Sequence, residues 1–545
     1  MSKIAKFWPV ILLIVITFIL RVIKLEELFY FTYDESIPAF VGRRLILWKH
    51  IPLIGGVTPF NFHLGPYFYW FYSAILFLGK LNPIAWGYAS AIIAMATTFM
   101  IFVVGKVFSS KKIALTAAIF WAFSYLANVY DRHLWALYWG PLVSLIVVFC
   151  LYKIIHSHAV ILSPSMSLRA SRRISGYTPR SNLRTKNLND KYIYFLGLTI
   201  ALSIHADPSN LVFLVLAILA WIIYKLPIKK STFFALGLIT FSFLPLILFD
   251  LRHNFANTKP VVGFWKQGRN DPGFEMQKFI NNSSLFPRAF TRLIYTFDDN
   301  QIAKQYSYCQ AFVKEKYQVI PPILVFLSSI SIIGFVVWAL GKNQENVGWR
   351  LIAILVILYL VGIQLYGTIF RADIFEHYIA GLFALFLLIF ANIVSLLPKK
   401  LWLLVLGLFI VFNLNKLLNA KNSMGLTYKR QAIEFTMQQV GDKPFSLDSL
   451  STCWRYSGYR YLFAVFGQEP VKSYVDPNFA YLYGTTPVAQ KHPPTVVSFV
   501  IHDFTPETED FYKRYAVLKY HEVKNAPFGN IEVVVMNNST GWFDQ

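Results

Sequence analysis

TPFNFHLGPYFYWFYSAILFLG, Thr58 to Gly79, is apolar enough to count as a membrane span, and whether it is one decides the orientation of everything after it. Only about 15 residues follow the Gly65-Pro66 turn, ~22 Å of helix against a hydrocarbon layer of ~30 Å. Its Tyr and Trp content suits a helix lying at the interface, where amphipathic rings are favoured. Taken so, it leaves eleven spans, at about 7–23, 84–104, 113–130, 134–152, 192–206, 208–224, 231–249, 318–341, 351–370, 377–398 and 401–415. Taken as a twelfth span, it would invert every later loop.

The basic residues support the eleven-span reading. With the N-terminus inside, alternate connections hold Lys3 and Lys6; Lys106, Lys111 and Lys112; the 156–191 loop with Arg169, Arg172, Arg173, Arg180, Arg184, Lys186 and Lys191; Lys225, Lys229 and Lys230; Lys342 and Arg350; and Lys399 and Lys400. The short opposite connections near 131–133, 207 and 371–376 hold only Arg132 and Arg371. This is the asymmetry expected of cytoplasmic loops. It predicts a multi-pass membrane protein with its N-terminus cytoplasmic and the tail after 418 on the outer face.

Composition agrees. Of 545 residues 56% are apolar and only 14% charged, against roughly 25% charged in soluble domains. The net charge of +23 would suggest a nucleic-acid partner in a soluble chain. Here the tail, 419–545, carries 12 basic and 12 acidic residues, so the whole excess belongs to 1–418 and follows topology. No nucleic acid is expected. Met1 to Ile23 has no small-residue cleavage pattern and reads as an uncleaved first span. Cys150, Cys309 and Cys453 form no close pair and no CxxC, so neither a zinc site nor a disulfide framework is indicated.

The chain therefore divides into a membrane region, 1–418, and a soluble tail, 419–545. The membrane region has a first outer loop with juxtamembrane helices at 24–83, a basic cytosolic loop at 156–191 and a large outer loop at 250–317. In the tail, helix-period stretches (Tyr428–Val440, Glu507–Tyr515) alternate with strand-like runs (Thr495–Ile501, Ile531–Met536), which predicts a small α/β domain.

Polar residues gather at the outer ends of the spans. Of 16 acidic residues in 1–418, only Asp190 and Glu345 fall inside, although acids carry little orienting weight. The sharpest group is YFTYDES with Asp34-Glu35. At other outer ends stand His63; Asp131, Arg132 and His133; His205 and Asp207; Asp250, Arg252 and His253; and Arg371, Asp373, Glu376, His377 and Tyr378. A helix-end Arg or His commonly snorkels or caps carbonyls. Five clusters of both signs at one depth are also what is needed to deprotonate a hydroxyl and grip a phosphate.

A first span ending in Arg21, an outer loop with Asp34-Glu35, then His63-Leu64-Gly65-Pro66-Tyr67 before an aromatic helix, resembles the GT-C membrane glycosyltransferases. Within these it is similar to glycosyltransferase family 39, the protein O-mannosyltransferase and lipid A aminoarabinose transferase group. Two departures stand out: only His63 and one proline match the family's HPP-like turn, and Leu137 replaces the acid that often follows the arginine matched by Arg132.

The resemblance implies a GT-C-like fold and an inverting transfer of a sugar from a polyprenyl-phosphate donor to a hydroxyl-bearing acceptor on the outer face, with the bilayer as partner. It implies Asp34 as base, with Glu35 beside it. It implies substrate contacts by His63, Asp131, Arg132, Arg252, His253, Arg371, His377 and Tyr378. No cofactor is expected, and a divalent metal is not indicated, since Asp34-Glu35 is not a DxD motif. Two other classes stay open: a secondary transporter or lipid flippase, which would place charges near midspan, and an oligosaccharyltransferase or polymer ligase.

Overall fold

The computed structural model describes residues 7–29, 31–58, 61–132, 135–162, 181–270, 274–296, 320–341, 346–369, 374–450, 458–484, 486–502 and 509–544. It is a multi-pass helical protein with a small sheet domain at its C-terminal end. Seven helices among the described residues are long and apolar enough to cross a membrane, from Ile84–Phe108 to Lys399–Leu418. All eleven expected spans fall on helices. Thr58–Gly79 contributes only the Tyr67–Leu78 helix, 12 residues or ~18 Å. It packs on the Tyr33–Trp48 helix at Gly42, where an added Cβ would lie 3.0 Å from Leu76 and 3.2 Å from the Ser73 hydroxyl.

The expected 113–130 span is broken at Ser124 into Lys111–Phe123 and Tyr125–Tyr130. A broken helix strands carbonyls that lipid cannot satisfy. Arg21, fully buried, takes two of them, Trp121 O at 3.0 Å and Ala122 O at 2.5 Å, and pairs with Asp131 at 2.8 Å. Arg132 answers from the other side, donating to Leu20 O, Arg21 O and Ile23 O at the end of the Trp8–Val22 helix. Arg21 thus closes the end of the Lys111–Phe123 helix, and Arg132 closes the end of the Trp8–Val22 helix that carries Arg21.

The 250–317 loop is not wholly outside the bundle. Within it, the Met276–Ile294 helix buries Leu285, Phe286, Ala289, Phe290 and Leu293, a helical stripe, in the same core as the spans. Its polar residues Asn281 to Ser284 mask this in a hydropathy reading.

The tail builds a five-stranded mixed sheet from β1 (Phe445–Leu450), β2 (Lys472–Ser473), β3 (Thr495–Ile501), β4 (Glu522–Phe528) and β5 (Ile531–Asn537), in the order β2-β1-β3-β5-β4. β1 runs parallel to β2 and β3, while β5 is antiparallel to β3 and β4. Its core does not close on itself. Leu25, Phe29, Phe31, Phe40 and Tyr72 from the first loop and Trp86 of the Ile84–Phe108 helix share one cluster with Leu426, Ile433, Tyr461, Phe499 and Val533 of the tail. The seam also holds polar contacts, among them fully buried Lys429 of the Leu426–Val440 helix, which donates to Phe31 O at 2.5 Å. Burial pulls this ammonium down to about 7, opposed by the Glu35 carboxylate.

Two outcomes follow from the buried charges. Asp131→Ala should cost roughly 3–5 kcal/mol in thermal unfolding of the solubilised protein, because it leaves Arg21 buried without its anion, and Asp131→Asn, which keeps an acceptor oxygen, should cost less. For Lys429, the unfolded chain holds its proton up to about 10.4 while the folded chain sheds it near 7, so this group's contribution to stability rises with pH across that window. The melting temperature of the native chain, compared with Lys429→Met, should therefore climb between pH 7 and about 9.

Candidate active site

Where the spans approach the end of the bundle that carries the tail, they enclose a cavity of about 1300 Å³. Its walls are mostly apolar, and His63, His205, Asp207, Asp250, Tyr359, Tyr366, His377 and Tyr378 supply much of its polar lining. The helices lose regularity around it. Val347–Gln364 widens into a π turn at Leu365–Ile369, and the following helix opens with a 3-10 run, Glu376–Leu382. Such irregular turns re-aim side chains and are frequent at functional sites.

His63 sits on a small hairpin closed by Gly55 N–H to Leu64 O, Leu64 N–H to Gly56 O and Thr58 N–H to Phe62 O. Its Nδ1 lies 3.1 Å from Gly55 O. A carbonyl only accepts, so Nδ1 carries the proton, and in the neutral ring the lone pair is on Nε2. Asn257 grips the His63 backbone from both sides, accepting from its N–H at 2.5 Å and donating to its carbonyl at 3.1 Å. Asp250 in turn accepts from Asn257 N–H and the Thr258 hydroxyl. A chain of hydrogen bonds thus fixes His63 to the end of the Leu244–Arg252 helix.

His205 is set the same way. The Ser242 hydroxyl donates to Ile239 O, so it accepts from His205 Nε2–H at 2.9 Å, leaving Nδ1 as the acceptor. Gly65 allows this: a Cβ there would lie 2.3 Å from His205 Nδ1. Tyr67 donates to Ser242 O and packs its ring 5.2 Å from His205. The His63-Leu64-Gly65-Pro66-Tyr67 turn therefore supplies one histidine, admits a second and anchors both. His377 lies between the rings of Trp135 and Phe375, at 5.1 and 5.4 Å. Its neighbour Glu376 is held inside the bundle by Arg292 Nη1 at 2.5 Å and the Tyr130 hydroxyl at 3.2 Å. Asp207, in the connection between two spans, accepts from Ser209 N–H, and burial pushes its carboxyl up to about 6.

Of the residues expected at the site, His63, His377 and Tyr378 line the cavity. Asp34 lies in the first turn of the Tyr33–Trp48 helix, whose Ile37 and Pro38 are in the wall, and its side chain lies outside the described residues. Arg371, Asp373 and His133 also lie outside them. Glu35 is buried and takes Thr32 N–H and the Thr32 hydroxyl in a capping box, away from the lining.

Asp131 and Arg132 belong to the interlock with Arg21 rather than to the cavity. Arg252 and His253 are exposed, with His253 Nδ1 on Phe249 O. They share a sequence cluster with Asp250, but at ~100° per residue only one face of that helix end turns inward. Among the described lining residues there is no Arg or Lys. Among the described residues no three His, Cys, Asp or Glu side chains converge to hold a metal ion.

Sequence reasoning missed Asn257, Thr258, Ser242, Tyr359 and Tyr366. The only signal was the FDLRHNFANT polar run; serine and tyrosine on apolar spans look like any others.

No family model matches this chain, and no curated protein matches it. Solved structures do resemble it. ArnT from Cupriavidus metallidurans bound to undecaprenyl phosphate is 12% identical over 97% of this chain and 98% of that one, with a TM-score of 0.43. The Archaeoglobus fulgidus oligosaccharyltransferase in its apo form is 11% identical over 91% and 70%, TM-score 0.47. The oligosaccharyltransferase AglB from the same organism, in complex with an inhibitory peptide and a dolichol-phosphate, is 13% identical over 99% and 75%, TM-score 0.42. At these values the roles of this chain's residues rest on its own geometry.

The close approach of Gly65 to His205 is open to a thermodynamic test. Gly65→Ala should lower the melting temperature, whereas adding it to His205→Ala should cost little further, because the clashing ring is gone. Additive losses in that double-mutant cycle would show that the two do not meet.

Proposed function

We propose that the chain is a membrane glycosyltransferase of the GT-C kind that transfers a sugar from a polyprenyl-phosphate donor to an acceptor hydroxyl in this cavity. The observation that carries the reading is the cavity's side wall. Leu211, Val215, Ile247, Val361 and Leu365, all on expected spans, line the cavity and are exposed. In a bilayer such a wall opens to hydrocarbon, so an isoprenoid chain can lie there while its phosphate and sugar reach the histidines and carboxylates above. A soluble nucleotide-sugar would have no use for a lipid-facing door.

In the proposed reaction, the acceptor oxygen attacks the anomeric carbon as its proton passes to Asp34. The bond from that carbon to the phosphate oxygen breaks, and polyprenyl phosphate departs with the electron pair. One displacement inverts the anomeric centre. Positions 34, 37 and 38 fall on one helix face by their spacing, and Ile37 and Pro38 are in the wall. Arg371, between Tyr366 and Phe375 of the lining in sequence, is assigned the leaving phosphate. His63, His205, His377 and Tyr378 hold sugar hydroxyls through ring nitrogens and phenol. Glu35 acts as helix cap, and Asp131 and Arg132 as framework. The basic loops support a cytoplasmic N-terminus and an extracytoplasmic tail. A transporter reading is less favoured, since the polar groups collect at one end of the bundle rather than around its middle.

Purified protein in nanodiscs, given labelled polyprenyl-phosphate sugars, should release polyprenyl phosphate. Asp34→Asn should lower turnover by about 10²–10⁴-fold, the usual contribution of a positioned base. Full turnover in a folded Asp34→Asn protein would remove Asp34 from the mechanism. Gly362, in the lining with open space around it, tests the door: Gly362→Leu should raise KM for the long-chain donor more than for a short-chain analogue. An equal effect on both would sink the lateral route.

A further inference from the structure

We infer that the C-terminal domain is the element that fixes the Tyr33–Trp48 helix in place, with Lys429 and Glu469 as positioning residues for Asp34 and the cavity wall. Its structural part stands on contacts alone; only its activity arm rests on the transfer reading above.

The helix has little to hold it by itself. It has 16 residues, close to the length at which isolated helices are marginal. Pro38, inside it, has no N–H to offer the carbonyl of residue 34. Its first turn is closed locally by the Thr32–Glu35 capping box. One face, with Ile37 and Pro38, is given to the cavity, where a substrate rather than protein must complete the packing.

At Gly42 the helix rests on Ser73 and Leu76 of the Tyr67–Leu78 helix, and the tail supplies the remaining face. At the N-terminal end Lys429 Nζ donates to Phe31 O, one residue before the Thr32 cap and three before Asp34. Gly458, at φ 77°, brings the tail backbone against the Phe31 ring, 2.6 Å from where a Cβ would stand. In the middle Phe40 is seated between Tyr461 and Tyr483, with ring centroids at 5.3 and 5.1 Å. One turn on, Arg43 is buried and pairs with Glu469. Its Nε and Nη2 find no hydrogen-bond partner among the described residues, so Glu469 answers a charge that is otherwise poorly compensated. Beside it Arg44 donates to Tyr481 O at 2.9 Å. Cap, centre and far end of one helix are thus all gripped by a single rigid sheet domain. A shift of that domain moves the wall of the cavity, and a loss of grip frees the first turn.

The test is amide hydrogen exchange of the full-length protein in nanodiscs, read peptide by peptide, for Lys429→Met and Glu469→Gln. Exchange over 31–45 should rise by about tenfold or more, with the Leu211–Ile223 helix unchanged. Glu469→Asp, which keeps a carboxylate facing both Arg43 and Arg460, should hold exchange near the native level, and Lys429→Met alone decides the matter if Glu469→Gln does not fold. Unchanged exchange over 31–45 in both Lys429→Met and Glu469→Gln, or a rise spread evenly over the chain, overturns the proposal. In the transfer assay Lys429→Met should lower kcat about tenfold with KM for the lipid donor nearly unchanged, the mark of a misplaced reacting group rather than lost binding. A native protein that transfers no sugar while the exchange pattern holds would refute the glycosyltransferase reading and leave this one standing.

Discussion

Arg21, Asp131 and Arg132 form a buried knot on which the site end of the bundle depends. Moving such charges out of water costs several kcal/mol each unless every donor and acceptor is answered. Here they are answered mainly by groups that would themselves be orphaned: the carbonyls left by the break at Ser124 and those at the end of the first helix. The break and the arginines are therefore one feature. The break gives Arg21 two of its acceptors, and the end of the first helix gives Arg132 its own. This ties the first helix to the broken one just below the first loop, and so sets where residues 25–35 begin.

From that starting point the site is assembled by backbone-anchored imidazoles. His63 takes its tautomer from Gly55 O and His205 from Ser242, so each neutral ring keeps an acceptor nitrogen. His63 is held in place through Asn257 by Asp250 and His205 by Ser242, and the described lining holds no Arg or Lys. Among the described lining residues the acidic side chains are Asp207 and Asp250. An apolar chamber whose side wall carries exposed Leu, Ile and Val suits the half-hydrocarbon, half-sugar-phosphate ligand proposed above.

The tail then closes the arrangement. It could have been a separate domain on a tether, and its neutral charge gives no hint of a partner. Instead its core is completed by Phe29, Phe31, Phe40 and Trp86 of the membrane region. The first loop is thus sandwiched between the bundle and the sheet, and the cavity wall inherits the rigidity of both.

Much of this was legible in the residues. Charge-free runs placed the spans because lipid forces every backbone group into a helix, and the 12-residue Tyr67–Leu78 helix is as short as its sequence suggests. His63, His377 and Tyr378 were recognisable because polar residues at span ends are few. Other assignments needed the fold. Asp131 and Arg132 look like ligands in sequence, while in the fold Asp131 pairs with Arg21 and Arg132 donates to carbonyls at the end of the first helix, contacts that only packing reveals. Arg252 and His253 stand next to Asp250, yet helical rotation sends them outward while Asp250 reaches Asn257. The Met276–Ile294 helix enters the core despite its asparagines and arginines because its apolar stripe, not its mean hydropathy, meets the bundle. The sequence alone determined which segments lie in lipid, because that depends on composition within one helix. Which side chains meet was decided by tertiary structure, because hydrogen bonds such as Lys429 to Phe31, 398 residues apart, depend on how helices pack and on nothing local.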